Sequence, residues 1–486
     1  MITFTVSLVL LIAGYLIYGK MVERIFAPDD RVTPAISKAD GMDYIVLPSW
    51  KIFMIQFLNI AGTGPIFGAI MGAKFGPVAY LWIVFGCIFA GATHDYLSGM
   101  LSMRHGGAGL PELIGQYLGK AAKRLMLVFT VLLLIMVGTV FVYSPAEILH
   151  NIGGSTMMWI AVIFAYYIVA TMLPIDKIIG KVYPLFAFSL LFMAAALMVM
   201  LFVKWPSLPE LWTNFENMGF AATEKWTDQI FPCLFITIAC GAISGFHATQ
   251  SPLMARCVKS EHMGRPIFYG AMITEGVVAL IWATVSMYFF YNDPTPGYHT
   301  IQVATGFSTL APSVVNIICN DWLGVFGGLL AMLGVVAAPI TSGDTAFRSG
   351  RLIVADWLKM DQRPIPKRLI ICVPMFMCSI AMLAWQIENP DGFNTIWQYF
   401  GWSNQALSVF TLWTLTVYLV RQNKCFAITL IPALFMTSVC STFLFISKQA
   451  FHLPELLGYS LGAACTVVAI VWFGIWYHLE KTKKTI

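Results

Sequence analysis

Long apolar runs recur along the whole chain, and they set its fold class. A helix needs roughly 20 apolar residues to cross a bilayer, and each run approaches that length. Because lipid offers the backbone no hydrogen-bond partners, runs this long and continuous indicate helices. We therefore predict an all-α integral membrane protein of about thirteen transmembrane helices. The predicted spans are 3–20, 51–72, 76–101, 124–145, 156–174, 182–204, 229–252, 267–291, 322–345, 367–387, 394–420, 426–447 and 456–478.

Two of these runs are interrupted near their middle by glycine, proline and polar residues. Proline cannot donate the helical hydrogen bond and glycine permits non-helical backbone, so we expect both helices to unwind there. The alternative is that the small residues only allow close helix packing, as is common in membranes. The interrupting residues are Gly62, Thr63, Gly64 and Pro65 in the run 51–72, and Gly241, Ser244, Gly245 and His247 in the run 229–252.

The two interrupted runs divide the chain into two blocks. Each opens a set of five predicted spans, the first over 51–204 and the second over 229–420. Because five is odd, the blocks cross the membrane in opposite senses, which predicts an inverted repeat with broken helices at matching positions. One extra helix at 3–20 precedes the blocks and two trailing helices at 426–478 follow them. We therefore expect residues 1–486 to form a single transmembrane transporter domain.

Lysine and arginine are distributed unevenly between the loops on the two sides of the predicted membrane domain. Only 11% of the residues are charged, and of the 29 Lys and Arg, 25 fall on one side and four on the other. Cytoplasmic loops carry such an excess, which predicts an outside amino terminus and a cytoplasmic carboxyl terminus. The net charge of +5 then belongs to the cytoplasmic face, where it meets anionic membrane lipid, and does not suggest nucleic acid as a partner.

Ionisable residues inside the predicted spans are costly to bury and are therefore functional candidates. Histidine titrates near neutral pH, so His94 and His247, with Asp95, are candidates for proton coupling, although a neutral histidine bonded to a carbonyl is an equal alternative. Adjacent helical residues point about 100 degrees apart, so we expect only one of His94 and Asp95 to face the site and the other to pair with a neighbouring helix. Glu275 is expected to hold two helices together as a protonated or paired carboxyl.

Hydroxyl groups and one acid end the run 322–345. Thr341 and Ser342, beside Asp344, offer hard oxygen ligands of the kind that a small cation accepts. Asp344 alternatively pairs with Arg348, four residues further along the helix. The sequence therefore predicts either a coupling-ion site or a local helix contact here.

A polar stretch, Trp402-Ser403-Asn404-Gln405, interrupts the run 394–420. Amide side chains among aromatic residues indicate either the lining of a cavity, in which Asn404 would contact substrate, or a polar contact between helices.

Motifs of several enzyme classes are absent from the sequence. It holds no Walker A or B motif, no zinc-type ligand spacing and no GxSxG elbow. We therefore expect no enzyme activity and no cofactor, and transport would draw on an ion gradient rather than on ATP. The ten cysteines lie mostly within predicted spans, and we expect them to pack as small apolar residues.

Several segments closely resemble the carbon starvation protein A family: FLNIAGTGPIFGAI, GATHDYLSGMLSMRHGG, LPELIGQYLG, GAISGFHATQSP, ITSGDTAFRSGRL and FGWSNQ. The resemblance covers most of the chain. It implies the amino acid, polyamine and organocation transporter superfamily, a LeuT-like 5+5 inverted-repeat fold in the bacterial inner membrane, and uptake of peptides or pyruvate with protons. It also implies that residues 59–65 and 241–247 line the substrate site. The sodium-site region of the wider superfamily would fall near Ala61, Gly62, Thr341 and Ser342.

We therefore predict a secondary active transporter that imports a small carboxylate-bearing nutrient by alternating access, coupled to protons. The substrate carboxylate would meet free amides at Gly62 to Gly64, at the positive end of a half-helix. Peptides and pyruvate share that carboxylate, so the sequence does not choose between them, and it leaves the oligomeric state open. The alternatives are a sodium-coupled symporter of the same fold, a channel, and a membrane sensor or scaffold that binds a metabolite and signals through a partner.

Overall fold

The computed structural model describes residues 1–41, 43–150, 152–172, 179–215, 218, 226–292, 307–362, 364–389 and 392–485. Over these residues the chain is helical and contains no strand. Its helices are Ile2–Leu16, Tyr18–Phe26, Pro34–Ser37, Ser49–Ile60, Gly64–Phe75, Val78–Arg104, Leu110–Leu118, Lys120–His150, Thr156–Met172, Ile179–Lys204, Trp226–Asp228, Ile230–Leu234, Phe235–Thr237, His247–Ala255, Glu261–Tyr291, Phe307–Leu358, Ile365–Glu388, Gly392–Arg421, Ala427–Ile446 and Glu455–Thr485.

Helices that are long and apolar enough to cross a membrane account for most of the predicted spans. Among the described residues there are nine, or ten if the bent pair Ser49–Ile60 and Gly64–Phe75 counts as one span. The chain is thus a multi-pass membrane protein, and the count of thirteen stays a prediction. The nine helices are Ile2–Phe26, Val78–Arg104, Lys120–His150, Tyr183–Lys204, Glu261–Tyr291, Gly327–Leu358, Ile365–Glu388, Ala427–Ile446 and Glu455–Thr482.

Three predicted spans contain helices that fall short of these criteria. Thr156–Met172 is apolar but has only 17 residues, and the last two residues of the span 156–174 lie outside the described part of the chain. The span 229–252 is divided into short helices. Gly392–Arg421 has 30 residues but carries the polar stretch around Asn404, which lowers its mean hydropathy.

A further apolar helix precedes the predicted span 322–345. The helix Val314–Val325 ends beside Gly324, whose backbone is non-helical with φ 67°, and Gly327–Leu358 follows it. Hydropathy alone did not predict it, because Asn316 and Asp321 interrupt its apolar residues.

The loops rich in lysine and arginine lie together at one end of the helical bundle, which we call the basic end. Ion pairs and hydrogen bonds join loops that are far apart in sequence. Loops that the count of Lys and Arg assigned to one side of the membrane are therefore neighbours in space. Lys177, in one of these loops, lies outside the described residues. The joining contacts are Arg104 Nη2 to Glu261 Oε2 at 2.9 Å, Arg256 Nη2 to Asp356 Oδ2 at 3.6 Å, Arg421 Nε to Glu480 Oε1 at 3.3 Å and Lys38 Nζ to the Gly106 carbonyl at 2.9 Å.

Candidate functional site

The first interrupted run is a broken helix, as predicted. The helix Ser49–Ile60 is followed by Ala61 at its cap, and a second helix, Gly64–Phe75, begins three residues after Ala61 at an angle of 53° to the first. The amide of Gly62 donates to the Ile60 carbonyl at 2.9 Å, a tight turn that leaves the helical path. Pro65 follows in the first turn of the second helix, where its missing N–H costs no hydrogen bond.

The second interrupted run is also broken, which confirms the other predicted discontinuity. Phe235–Thr237 ends before Ile238, and helix His247–Ala255 begins nine residues further on. The intervening residues include Gly241, Ser244 and Gly245 and form turns rather than helix. We refer to these two elements as the first and second broken helices.

Asn404 supplies hydrogen bonds that the second broken helix lacks. Its Oδ1 accepts from the Ser244 hydroxyl at 2.9 Å and from the Phe246 amide at 2.7 Å. Its backbone carbonyl accepts from the Gly245 amide at 3.1 Å. A Cβ on Gly245 would lie 2.5 Å from the Ser408 amide nitrogen, so only glycine fits against this helix. The polar stretch around Asn404 therefore makes a polar helix contact, the second of its two interpretations.

The two broken helices contact each other along a face of glycines. A Cβ on Gly64 would lie closer than 3.0 Å to the Sγ and Cβ of Cys240, and one on Gly68 would lie 2.9 Å from the Thr237 carbonyl oxygen. Within the second break, a Cβ on Gly241 would lie 2.5 Å from the Cβ of Ala279, which belongs to the helix Glu261–Tyr291. The glycines thus allow close packing in addition to the breaks, so both interpretations of these residues hold.

Polar groups without hydrogen-bond partners border the first break. Among the described residues, nothing bonds the hydroxyl of Thr63 or either side-chain atom of the Asn59 amide, although both side chains are fully buried. Buried polar groups are nearly always hydrogen-bonded in folded proteins, so unpaired ones mark positions that a ligand can satisfy. Asn59 is the first residue of the range 59–65 that the family resemblance implies as the lining of the substrate site, and it lies at the end of an apolar run directly before the break.

A buried cluster of ionisable side chains adjoins the second break. His94 Nδ1 lies 2.8 Å from Asp95 Oδ1, and His247 Nδ1 lies 2.9 Å from Asp95 Oδ2. On its other side, His247 Nε2 lies 3.5 Å from Glu275 Oε2. All four side chains have zero solvent exposure. We call this chain of contacts the His–Asp–His cluster, with Glu275 beside it.

This cluster corrects one expectation about neighbouring helical residues. We expected only one of His94 and Asp95 to face the site, because their Cα–Cβ bonds diverge. Instead the two side chains bond each other, and the two oxygens of Asp95 serve one histidine each. Adjacent helical residues project their Cα–Cβ bonds about 100 degrees apart, but side chains as long as histidine and aspartate can still turn toward each other.

Three separate elements supply the cluster. His94 and Asp95 lie in Val78–Arg104, directly after a π-helical stretch at Trp82–Gly91, and His247 is the first residue of the second half of the second broken helix. Glu275 lies in Glu261–Tyr291. The cluster therefore joins a span of the first block to two spans of the second block.

Ser342 connects its own helix to the first broken helix. Its hydroxyl contacts the Leu58 carbonyl at 3.1 Å and the Asn59 carbonyl at 2.9 Å, at the carboxyl end of Ser49–Ile60. A Cβ on Gly62 would lie 3.2 Å from the Ser342 Oγ, so the residues after Ala61 approach the same hydroxyl. The structure therefore brings Ser342 to the region of Ala61 and Gly62.

Thr341 and Asp344 make other contacts. The Thr341 hydroxyl donates within its own helix, to the carbonyls of Ala337 and Ala338 at 3.0 and 2.8 Å. The Tyr183 hydroxyl donates to Asp344 Oδ2 at 2.5 Å. These two side chains thus point to contacts other than the carbonyls of the first break.

In the part of the chain that the structure describes, no group of three or more His, Cys, Asp or Glu side chains is placed to hold a metal ion.

The chain is similar to several bacterial proteins. It is 47% identical to an uncharacterised membrane protein of Haemophilus influenzae, over 60% of this chain and 92% of that protein. It is 24% identical to the peptide transporter CstA of Escherichia coli, over 86% of this chain and 76% of that protein. For the peptide transporter CstA of Bacillus subtilis the identity is 25%, over 96% and 94%.

Solved structures of a manganese transporter share the fold. The Eremococcus coleocola manganese transporter, in complex with an aromatic bis-isothiourea substituted compound, matches with a TM-score of 0.56 at 11% identity, over 92% of this chain and 99% of that chain. The family model described as Carbon starvation protein CstA matches residues 1–152, 144–300 and 291–443. The chain therefore belongs to the carbon starvation protein CstA family.

Proposed function

We propose that this protein is a secondary active transporter that imports a small carboxylate-bearing nutrient, a peptide or pyruvate, across the bacterial inner membrane, coupled to protons. The observation that carries the proposal is the buried His–Asp–His cluster directly beside a broken helix. The CstA relatives named peptide transporters and the fold shared with a manganese transporter support transport as the activity.

The proposed architecture is the thirteen-span, LeuT-like 5+5 inverted repeat with one extra helix before it and two after it. Two observations support it: a broken helix opens each block, and the two broken helices contact each other through Gly64 and Cys240. The basic end would face the cytoplasm, with the amino terminus outside, because positive loops remain on the cytoplasmic side.

The proposed substrate site lies at the first break. The helix that begins at Gly64 would direct the positive end of its dipole toward the break, which favours a carboxylate there. The Gly62 amide bonds the Ile60 carbonyl, so the backbone donors would be the amides of Thr63 and Gly64. The unpaired hydroxyl of Thr63 and the side-chain amide of Asn59 would supply further donors. Every peptide and pyruvate presents a carboxylate, so this chemistry is compatible with both substrates.

Proton coupling would act through Asp95 and the two histidines. Protonating an imidazole between buried carboxyl groups changes the strength of the His247 to Asp95 contact, because a charge-assisted hydrogen bond is stronger than a neutral one. That contact joins the two blocks, so its strength would bias the balance between outward-facing and inward-facing states. A ligand shifts such an equilibrium only through its differential affinity for the two states.

Sodium coupling is the second candidate, supported by one observation. The carbonyl oxygens of Leu58 and Asn59 converge on the Ser342 hydroxyl at 3.1 and 2.9 Å. Carbonyl and hydroxyl oxygens are the hard ligands that a small cation prefers. A sodium-coupled symporter of the same fold would use this position.

The testing experiment is uptake by the purified full-length protein in proteoliposomes. Labelled pyruvate and a labelled dipeptide are offered under an inward proton gradient and, separately, under an inward sodium gradient. We expect the proton gradient alone to drive accumulation, and His247→Gln to abolish it. His150→Gln is the matched control, because His150 bonds a loop carbonyl away from the cluster and should retain uptake.

Each contrary outcome favours a named alternative. Accumulation that follows only the sodium gradient would favour the sodium symporter. Non-saturable flux that never exceeds equilibrium would favour a channel. Substrate binding without any accumulation would favour a membrane sensor or scaffold and would refute the transporter proposal.

A further inference from the structure

Glu275 is a buried carboxyl group with no hydrogen bond to account for its burial. Its side chain has zero exposure, and within the described residues neither carboxyl oxygen has a hydrogen-bond partner. Desolvating a polar group without a compensating bond is costly, and more so for a charged one. The expected structural role, in which Glu275 holds two helices together as a protonated or paired carboxyl, is compatible with the 3.5 Å approach of its Oε2 to His247 Nε2. The lack of a hydrogen bond calls for a further explanation.

The neighbouring imidazole supplies one. His247 bonds Asp95 through Nδ1 at 2.9 Å, which leaves Nε2 directed toward Glu275. That nitrogen also lacks a hydrogen bond, and it lies 3.5 Å from Glu275 Oε2. The two nitrogens of one histidine thus face two carboxyl groups on two different helices. A proton that arrives at one nitrogen can leave from the other, since imidazole carries protons at both positions.

We propose that Glu275 exchanges the transported proton with His247, and so forms the far end of the His–Asp–His cluster. This inference rests on the proton-coupled transport proposed above. In the first state Glu275 is a neutral acid and Nε2 of His247 carries a lone pair. A small approach brings the carboxyl oxygen and Nε2 into hydrogen-bond range, and the proton moves from Oε2 to Nε2. The O–H bond breaks, the N–H bond forms, and an imidazolium lies between two carboxylates.

The surroundings of Glu275 favour proton exchange with the His–Asp–His cluster. Among the described residues, the ionisable groups near it include His247, the Asp95 carboxyl, and the buried thiols of Cys87 and Cys240. The first helix brings the apolar Leu11 to this level, beside Gly276. The first broken helix and the helix Ile179–Lys204 also pack here, and neither has an ionisable residue over 52–73 or 184–203.

Charge repulsion between the two carboxyl groups favours a proton in this cluster. Asp95 and Glu275 would both be carboxylates near one imidazole if Glu275 lost its proton to solvent, and two buried like charges are unfavourable. A proton on Glu275 or on His247 therefore relieves this repulsion, and its release restores it. Because Asp95 belongs to one block and His247 and Glu275 to the other, the position of that proton alters contacts between the blocks.

The test compares Glu275→Gln and Glu275→Asp with the wild type in proteoliposomes. Two rates are measured: accumulation driven by a proton gradient, and counterflow, in which labelled substrate exchanges without net proton movement. Glu261→Gln is the matched control, because Glu261 is a buried carboxyl paired with Arg104 at the basic end, outside the cluster.

We expect Glu275→Gln to lower the ratio of accumulation to counterflow by about tenfold, within the usual range of coupling between two sites. Its uptake should also lose most of its pH dependence, because the glutamine amide has no acid proton to exchange with His247. Glu275→Asp should restore part of the ratio with a shifted pH profile. Glu261→Gln should keep the wild-type ratio.

Two results would overturn the inference. One is a Glu275→Gln protein with the wild-type ratio and pH profile. The other is a Glu275→Gln protein in which accumulation and counterflow fall together with thermal stability while the ratio and pH profile stay unchanged, as a structural role requires. If Glu275→Gln does not fold, the pH profile of Glu275→Asp decides: a shift supports the inference and no shift overturns it. A wild-type protein without proton-driven accumulation would instead refute the proposed function.

Discussion

Substituting Gly64 by alanine tests the contact between the two broken helices most directly. The added Cβ would lie closer than 3.0 Å to both the Sγ and the Cβ of Cys240, whereas ordinary contacts begin at 3.4 Å. Both residues are fully buried or nearly so, and each lies at a break. The strain cannot be relieved by rotating the thiol alone, because the Cβ of Cys240 is fixed to the backbone.

The expected cost follows from overpacking. Forcing an extra methyl group into a close-packed interior typically costs about 1–3 kcal/mol, through shifted backbone and displaced side chains. At Gly64 the backbone that must shift belongs to the proposed substrate site. We therefore expect Gly64→Ala to lower the melting temperature of the detergent-solubilised protein moderately and to reduce substrate uptake far more strongly.

The structure also defines a rescue. Cys240→Gly removes both clashing atoms and leaves the Cα of residue 240 at 3.8 Å from the new Cβ, an ordinary contact. The double variant Gly64→Ala, Cys240→Gly should recover much of the melting temperature and uptake that Gly64→Ala loses. Cys240→Ala should not rescue, because it keeps the Cβ. Gly474→Ala is the neutral control, since a Cβ there meets no described atom within 4 Å.

The assays are thermal unfolding in detergent and uptake of labelled substrate in proteoliposomes. The reasoning fails if Gly64→Ala melts and transports like the wild type. It also fails if the double variant is no better than Gly64→Ala, because the loss would then have a cause other than Cys240.

Two further predictions concern hydrogen bonds that join distant segments. Replacing Asn404 by alanine leaves the Ser244 hydroxyl and the Phe246 amide without their acceptor; at about 1–3 kcal/mol for each buried unpaired group, we expect a lower melting temperature and loss of uptake. Replacing Ser342 by alanine removes the bond to the Leu58 carbonyl and should cost about 0.5–1.5 kcal/mol, while accumulation stays driven by protons and independent of sodium.

Each of these variants has a control with a local hydrogen bond. The Ser408 hydroxyl donates to the Gln405 carbonyl on its own helix, and the Thr345 hydroxyl bonds carbonyls of its own helix, so Ser408→Ala and Thr345→Ala should change stability little. An Asn404→Ala protein as stable and active as Ser408→Ala would contradict the role of Asn404. Sodium stimulation of wild-type uptake that Ser342→Ala removes would contradict proton coupling.

The sequence determined the local features of this protein. The length of the apolar runs located the helices, because the backbone of a segment in lipid must form its hydrogen bonds within the segment. Gly62 and Pro65 located the first break, because their backbone preferences act within one or two residues. The uneven distribution of lysine and arginine grouped the loops of the basic end. Each of these inferences depends on neighbouring residues or on simple counts.

Hydropathy was less informative where polarity and length compete. It did not predict the helix Val314–Val325, and the helix around Asn404 is too polar to meet the criterion for a span. A helix can bury polar residues against other helices, and hydropathy depends only on residue types along the chain, not on what surrounds each residue in space.

Only the tertiary structure decided which polar groups meet. His247 and Asp95 are 152 residues apart, Asn404 and Ser244 are 160 apart, and Ser342 and Asn59 are 283 apart. Such contacts depend on how each helix is rotated about its axis and on how closely glycine faces approach, which no local pattern encodes. The sequence identified the ionisable residues as candidates, because burying them within apolar spans is unfavourable. Their meeting in one cluster depends on how the helices pack.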